Sequence, residues 1–148
     1  MPTIAVQCTQ LAEQAVRERR THLGYLEALL QAELEEREQR LIERRIHEAR
    51  LPRMETLAEF DFARNPKVSA QQIHELAKGD YLAKAEPVIF IGDRGTGKTH
   101  LLTGLAVTAC RQQRRVRFAT AAALINEMVE AKHQLQLGRA LSRWAATI

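Results

Sequence analysis

One stretch restricts what this chain can become more than any other: Gly92-Asp93-Arg94-Gly95-Thr96-Gly97-Lys98-Thr99. It fits the pattern G-x-x-x-x-G-K-[ST], follows an apolar strand-like run, Pro87-Val88-Ile89-Phe90-Ile91, and opens a helix-like run at Lys98. Strand, glycine-rich loop and helix in that order form the setting in which a loop of this kind surrounds phosphates. A triphosphate carries about three to four negative charges, and backbone N–H groups can surround them only where the chain turns tightly without Cβ atoms in the way. The glycines at 92, 95 and 97 provide that turn, and the helix start adds unpaired N–H groups and the positive end of its dipole. Lys98 is then placed to reach the terminal phosphates and the Thr99 hydroxyl to ligate Mg2+. Residues 92–99 are therefore the candidate nucleotide-binding residues, and Thr99 the candidate metal ligand.

The rest of the chain is organised on either side of this loop. Residues 1–50 read as helix almost throughout: one helix over Thr9–Arg20, then a second that Thr21 caps and that runs to about Arg50. In the second, Leu23, Leu26, Leu30, Leu34, Leu41, Ile42 and Ile46 approximate a stripe at three-to-four spacing, with Glu and Arg outside it. One such stripe cannot fold alone and needs a second element to cover it. Leu51-Pro52 stops the helix, because the residue before proline is pushed out of the helical region. Residues 51–86 then form a linking segment with a short aromatic phrase, Thr56 to Phe62, and a helix over 70–77 for which Ser69 is the N-cap. From Pro87 the pattern is strand, loop, helix, strand, helix, the second strand being Val116-Arg117-Phe118-Ala119 and the second helix running from Ala121 to about Leu137. A last helical piece, Ala140–Ala146, carries Trp144. The expected fold class is α/β: an N-terminal helical segment over 1–50, the linker over 51–86, and the first two strand-helix units of a P-loop sheet over 87–148.

Charge sharpens this division. The chain carries +4 overall, but residues 1–50 hold eight Arg against nine Glu, and residues 51–86 five basic against six acidic groups. Residues 87–148 hold nine basic groups against Asp93, Glu127 and Glu130, so the excess belongs to the part with the loop. Arg111, Arg114, Arg115 and Arg117 are its densest cluster. They are the candidate contacts to a phosphate backbone, with a solvated set of arginines favouring the negative helix end as the equal alternative. Cys8 and Cys110 lie far apart, and the five histidines show no metal-ligand spacing, so both sets read as structural or exposed. No apolar stretch approaches membrane-spanning length and the N-terminus lacks the pattern of a signal peptide; the expectation is a cytoplasmic protein with no membrane partner.

Phrases flanking the loop carry a resemblance. Gly95-Thr96-Gly97-Lys98-Thr99-His100-Leu101, Ala109-Cys110-Arg111-Gln112 and Val116 through Leu124 look like the IstB-like transposition helper ATPases, relatives of the DnaC-type helicase loaders in the AAA+ class. The segment from Arg37 through Pro52 and Thr56–Phe62 is also similar to that family's region upstream of the core, so the resemblance covers nearly the whole chain. Asp93-Arg94 is a departure, since the family usually has two prolines there; lost rigidity and an added acid predict weaker nucleotide affinity, with Arg94 offsetting the charge.

The resemblance implies binding of ATP, formation of a homo-oligomer, and non-specific engagement of duplex DNA so that a target is presented to a transposase. It leaves open ATP against GTP, and a helicase-loader role, or a non-functional remnant or interaction fragment, in place of the transposition helper. A hydrolytic site also needs an acid at the end of another buried strand. No apolar run after residue 119 ends in Asp or Glu. By resemblance the chain stops short of that strand and of the later sensor and arginine-finger segments, so the expected form is a truncated subunit that binds nucleotide without hydrolysing it, with no catalytic residue assigned. In AAA+ relatives two later strands lie between the loop strand and the next one. The faces of those two segments are then expected to stay uncovered unless the chain repacks, self-associates or binds a partner.

Overall fold

Helix signals in the sequence translate into helices almost wherever they occur. The computed structural model describes residues 2–147; the outermost residues assigned to the two terminal regions, Met1 and Ile148, lie outside them. The chain divides into two compact units, one up to Glu43 and one from Arg44 onward, so the boundary falls inside a helix.

The first unit is made of α1 (Pro2–Arg17) and most of α2 (His22–Glu48). Between them the chain reverses through Arg19 at φ 51°, and the Thr21 hydroxyl accepts from the Gly24 amide at 3.2 Å, the first-turn cap that its side chain predicts. The helices run antiparallel: the Tyr25 hydroxyl donates to the Cys8 carbonyl at 3.1 Å and the Ile4 amide to the Glu33 carboxylate at 3.2 Å. Ala15 and Leu29 are buried here. Exposed ion pairs such as Arg40–Glu36, at 2.8 Å, decorate the outer face and add only tenths of a kcal/mol each.

The second unit is built on α5 (Lys98–Arg111), whose Leu101, Thr103, Gly104, Leu105, Val107, Ala109 and Cys110 are all buried. Burial of these alternating turns is what makes α5 the axis of the unit. Against it pack α3 (Ala70–Lys78) and a 3-10 turn at Leu57–Glu59. Ser69 caps α3 by accepting from the Gln72 amide, and Gly79 ends it at φ 87° with its N–H on the Leu76 carbonyl. Phe60, Ile73 and Leu101 form the core, joined by Leu57, Phe62, Val68, Leu76 and Phe90. The turn and the helix meet at Gly104, where a Cβ would stand 2.6 Å from a Leu57 methyl and 3.0 Å from its amide nitrogen. A short α4 (Asp80–Ala83) leads toward the loop. After α5 come α6 (Ala121–His133), capped by Thr120, and α7 (Leu137–Ala145), which pack on each other.

The expected α/β architecture is corrected here. Among the described residues there is no strand, and neither 87–91 nor 116–119 forms a ladder. Strand backbone is stabilised by lateral hydrogen bonds to a neighbour, and residues 92–115 between these segments are loop and helix. Among the described residues no backbone hydrogen bond joins the two segments. They line an apolar cavity of about 500 Å³ together with Tyr81, Leu102, Leu105 and Ala106. The Phe118 amide donates instead to the Ala49 carbonyl at 2.8 Å, just past the end of α2. Ile89 and Ile91, apolar enough for a buried strand, are left exposed.

Candidate functional site

Residues 92–99 turn sharply into α5. Gly95 and Gly97 hold φ of 77° and 78°, a region that side chains disfavour, and Gly97 is the N-cap of the helix. Helix geometry leaves the N–H groups of Lys98, Thr99 and His100 without an intrahelical acceptor, the first helical bond being Leu101 N–H to the Gly97 carbonyl. With the helix dipole they make the mouth of the loop favourable to an anion.

The lysine folds back over this mouth. Lys98 Nζ donates to the carbonyls of Gly92 at 2.9 Å and Asp93 at 2.5 Å, and to Thr96 Oγ1 at 3.3 Å. The Thr96 hydroxyl in turn donates to the Asp93 carbonyl at 2.9 Å, which closes the loop on itself. Asp93, Arg94 and Thr99 are exposed. A cavity of about 460 Å³ opens over Gly95, Thr96, Gly97, Lys98 and Thr99, with Pro52, Arg53, Glu55 and His100 as its other wall. That is within the usual size of a small-ligand site. The residues present fit a polyphosphate: an ammonium held by neutral carbonyls, free N–H groups of a helix start, and a hydroxyl beside them.

The loop is backed from below by the upstream aromatic phrase. A Cβ on Gly97 would lie 2.5 Å from the Phe60 ring, so ring and loop are in contact and only glycine fits. Phe60 stands edge-on to Phe62 and to His100, and His100 Nε2 bonds the Thr56 carbonyl at 2.8 Å. Thr56 is itself fixed, since its amide and hydroxyl both donate to the Glu59 carboxylate, at 2.7 and 2.9 Å. The amide first and the hydroxyl second hold the Glu59 carboxyl below its ordinary value.

The arginines divide. Arg111, Arg114 and Arg115 are exposed at and just past the end of α5. Arg117 is half-buried: it pairs with Glu127 at 2.8 Å and lies 4.1 Å over the Trp144 ring, while Arg143 takes the other oxygen of Glu127. Burial pushes the Glu127 carboxyl up, but Arg143 and then Arg117 outweigh it and leave the pKa below its ordinary value.

Sequence comparison decides the family. The model of the IstB-like ATP binding protein family matches residues 1–148. The chain belongs to that family. It is similar to a Sinorhizobium fredii protein named as an insertion sequence ATP-binding protein, at 37% identity over 97% of this chain and 48% of the relative. A Pseudomonas aeruginosa protein named for insertion sequence IS21 and ATP binding is 35% identical over 97% of this chain and 54% of its own length. A Geobacillus stearothermophilus protein named for insertion sequence IS5376 and ATP binding is 30% identical over 95% and 56%. This IstB-like chain thus spans about half the length of the curated relatives it matches.

Two features of the IstB-like site escape a reading of the glycine loop alone. One is Phe60 as its floor; the other is the Thr56–Glu59 clasp that holds His100. The sequence carries a signal for the second, since T-x-x-E is a capping-box spacing. Among the described residues no group of three or more His, Cys, Asp or Glu side chains gathers to hold a metal ion, and no helix is long and apolar enough to cross a membrane. Cys110 is buried, which pushes its thiol up, while Cys8 lies on α1; the two form no disulfide.

Proposed function

We propose that this chain is an ATP-binding helper for DNA transposition. Family membership and the names of its relatives, which are insertion-sequence proteins, support transposition over helicase loading. The observation that carries the nucleotide reading is the Lys98 ammonium, held at 2.9 and 2.5 Å by two uncharged main-chain carbonyls at the start of α5. Carbonyls release an ammonium to a phosphate readily, because the phosphate offers a charge-assisted bond in their place. In this reading residues 92–97 form a Walker A loop around the phosphates, Lys98 contacts them, and the Thr99 hydroxyl takes Mg2+. Binding without turnover is the part these residues support: Glu127, an acid of the 87–148 region, is engaged by Arg117 and Arg143. Exposed Arg111, Arg114 and Arg115 are the proposed contacts to duplex DNA, and the proposed assembly is a cytoplasmic homo-oligomer that meets a transposase.

Calorimetric titration with Mg-ATP tests the premise. Lys98→Ala is expected to weaken binding at least tenfold, and Thr99→Val to remove most of its dependence on Mg2+; equal affinities in all three proteins, or no heat from the native chain, overturn the reading. For DNA, affinity should fall steeply with salt. Neutralising Arg114 and Arg115 should make the slope of log affinity against log salt shallower by about one for each phosphate that goes unneutralised. A salt-insensitive interaction defeats that part.

A further inference from the structure

The glycine loop forms only one wall of the cavity that opens over it. Across about 460 Å³ from Gly95, Thr96, Gly97, Lys98 and Thr99 stand Pro52, Arg53 and Glu55, which belong to the segment upstream. With His100 neutral, Lys98 and Glu55 cancel, so Arg53 alone leaves the lining with a net positive charge. The arginine is exposed, and no carboxylate among the described residues pairs with it. Two cations that face one cavity repel each other, and an anion of several charges placed between them turns that repulsion into attraction.

The backbone that carries Arg53 is fixed on both sides. Pro52, before it, locks its own φ. Thr56, after it, donates its amide and hydroxyl to the Glu59 carboxylate at 2.7 and 2.9 Å, and its carbonyl lies 2.8 Å from His100 Nε2. A carbonyl can only accept, so Nε2 is the donor in this bond. His100 follows Lys98 by two residues on α5. The helix that turns its first N–H groups toward an anion therefore also sets where the opposite wall stands.

We infer that Arg53 is a second cation of the nucleotide site, contacting the phosphate chain from the side opposite Lys98, and that the His100–Thr56 bond holds it in position. The inference rests on the proposed nucleotide reading and adds a residue from outside the glycine loop. A guanidinium presents parallel N–H groups to two phosphate oxygens at once, which an ammonium in its place does not.

Calorimetric titration of the full chain with Mg-ATP tests this, with helicity of every variant checked by circular dichroism. Arg53→Ala is expected to weaken binding about tenfold at low salt, and Arg53→Lys to recover only part of that loss. The loss should shrink as salt is raised, because screening weakens the native contact. A loss that persists at high salt would mean that Arg53 stacks on the base, and overturns the phosphate contact. His100→Gln keeps an N–H for the Thr56 carbonyl and should bind within about twofold of the native chain. His100→Phe keeps a ring against Phe60 but has no donor, so it should lose about as much as Arg53→Ala, and the double variant should lose no more than either. Additive losses, or a His100→Phe chain that binds as the native one does, overturn the positioning by His100. If the native chain binds no Mg-ATP, or Lys98→Ala leaves its affinity unchanged, the nucleotide reading falls and this inference with it. If Lys98→Ala weakens binding while Arg53→Ala does not, only the inference about Arg53 is overturned.

Discussion

Two cations on either side of α5 look alike in sequence and differ in their situation. Lys98, at the helix start, is held by main-chain carbonyls of the loop it belongs to. Arg117, past the helix end, is held by a carboxylate and an indole brought from α6 and α7. A neutral partner leaves an ammonium able to exchange onto an incoming anion, whereas a charged and stacked partner fixes the guanidinium in place. The difference teaches that a basic residue's availability is set by what accepts from it. Arg117 joins helices, whereas Arg111, Arg114 and Arg115 are the exposed members of the cluster.

The largest way to test that contrast is to remove the floor of the loop. Phe60 is buried against Ile73 and Leu101 and touches Gly97, so Phe60→Ala deletes core packing and loop support together. A loss of about 3–5 kcal/mol in denaturant unfolding is expected. Mg-ATP affinity should fall with it, measured at a temperature where the variant remains folded. Unchanged affinity would show that the loop holds its shape without the ring.

Next in size is a pair of glycine substitutions that separates backbone strain from contact. Gly95 and Gly97 have nearly the same φ, 77° and 78°, yet a Cβ at 95 meets nothing within 4 Å and one at 97 meets Phe60 at 2.5 Å. Gly95→Ala should then lower stability by about 1 kcal/mol from the left-handed conformation alone. Gly97→Ala should add about 1–3 kcal/mol for overpacking against the ring. Equal losses would break the assignment of Phe60 as the floor.

These residues also show how far the sequence could be read. The loop, the caps at Thr21, Ser69 and Thr120, and the helices that follow them are written in local patterns, because a cap or a tight turn involves neighbours a few residues apart. Ranges shift at the ends: the helix expected from Thr9 begins at Pro2, and the one expected to reach Leu137 stops at His133, where α7 begins soon after. What local pattern could not supply is whether an extended run finds a partner. Pro87–Ile91 reads as a buried strand by composition, but a ladder is a property of two segments, and Pro87, Val88 and Phe90 share only a cavity wall with residues 116–119. The Phe60 contact was hidden for the same reason, since the ring and Gly97 stand far apart in the chain and meet only once it has folded.

The smallest expected effect lies at Arg117. Glu127 is shared by Arg117 and Arg143, and its pKa is held below the ordinary carboxylate value. A carboxyl whose pKa falls on folding adds stability that is present above the unfolded value and is lost as pH drops through the folded one. Glu127→Gln should therefore lower the thermal midpoint at pH 7 by a modest amount, and the gap to the native chain should close as pH falls below about 4. In the same variant Arg117 loses its charged partner but keeps Trp144, so it becomes the more exchangeable cation that Lys98 already is. If the contrast between the two is correct, Glu127→Gln should strengthen duplex DNA binding slightly at low salt, and a chain in which both the pH-dependent gap and the DNA affinity stay unchanged would show that Glu127 holds nothing in check.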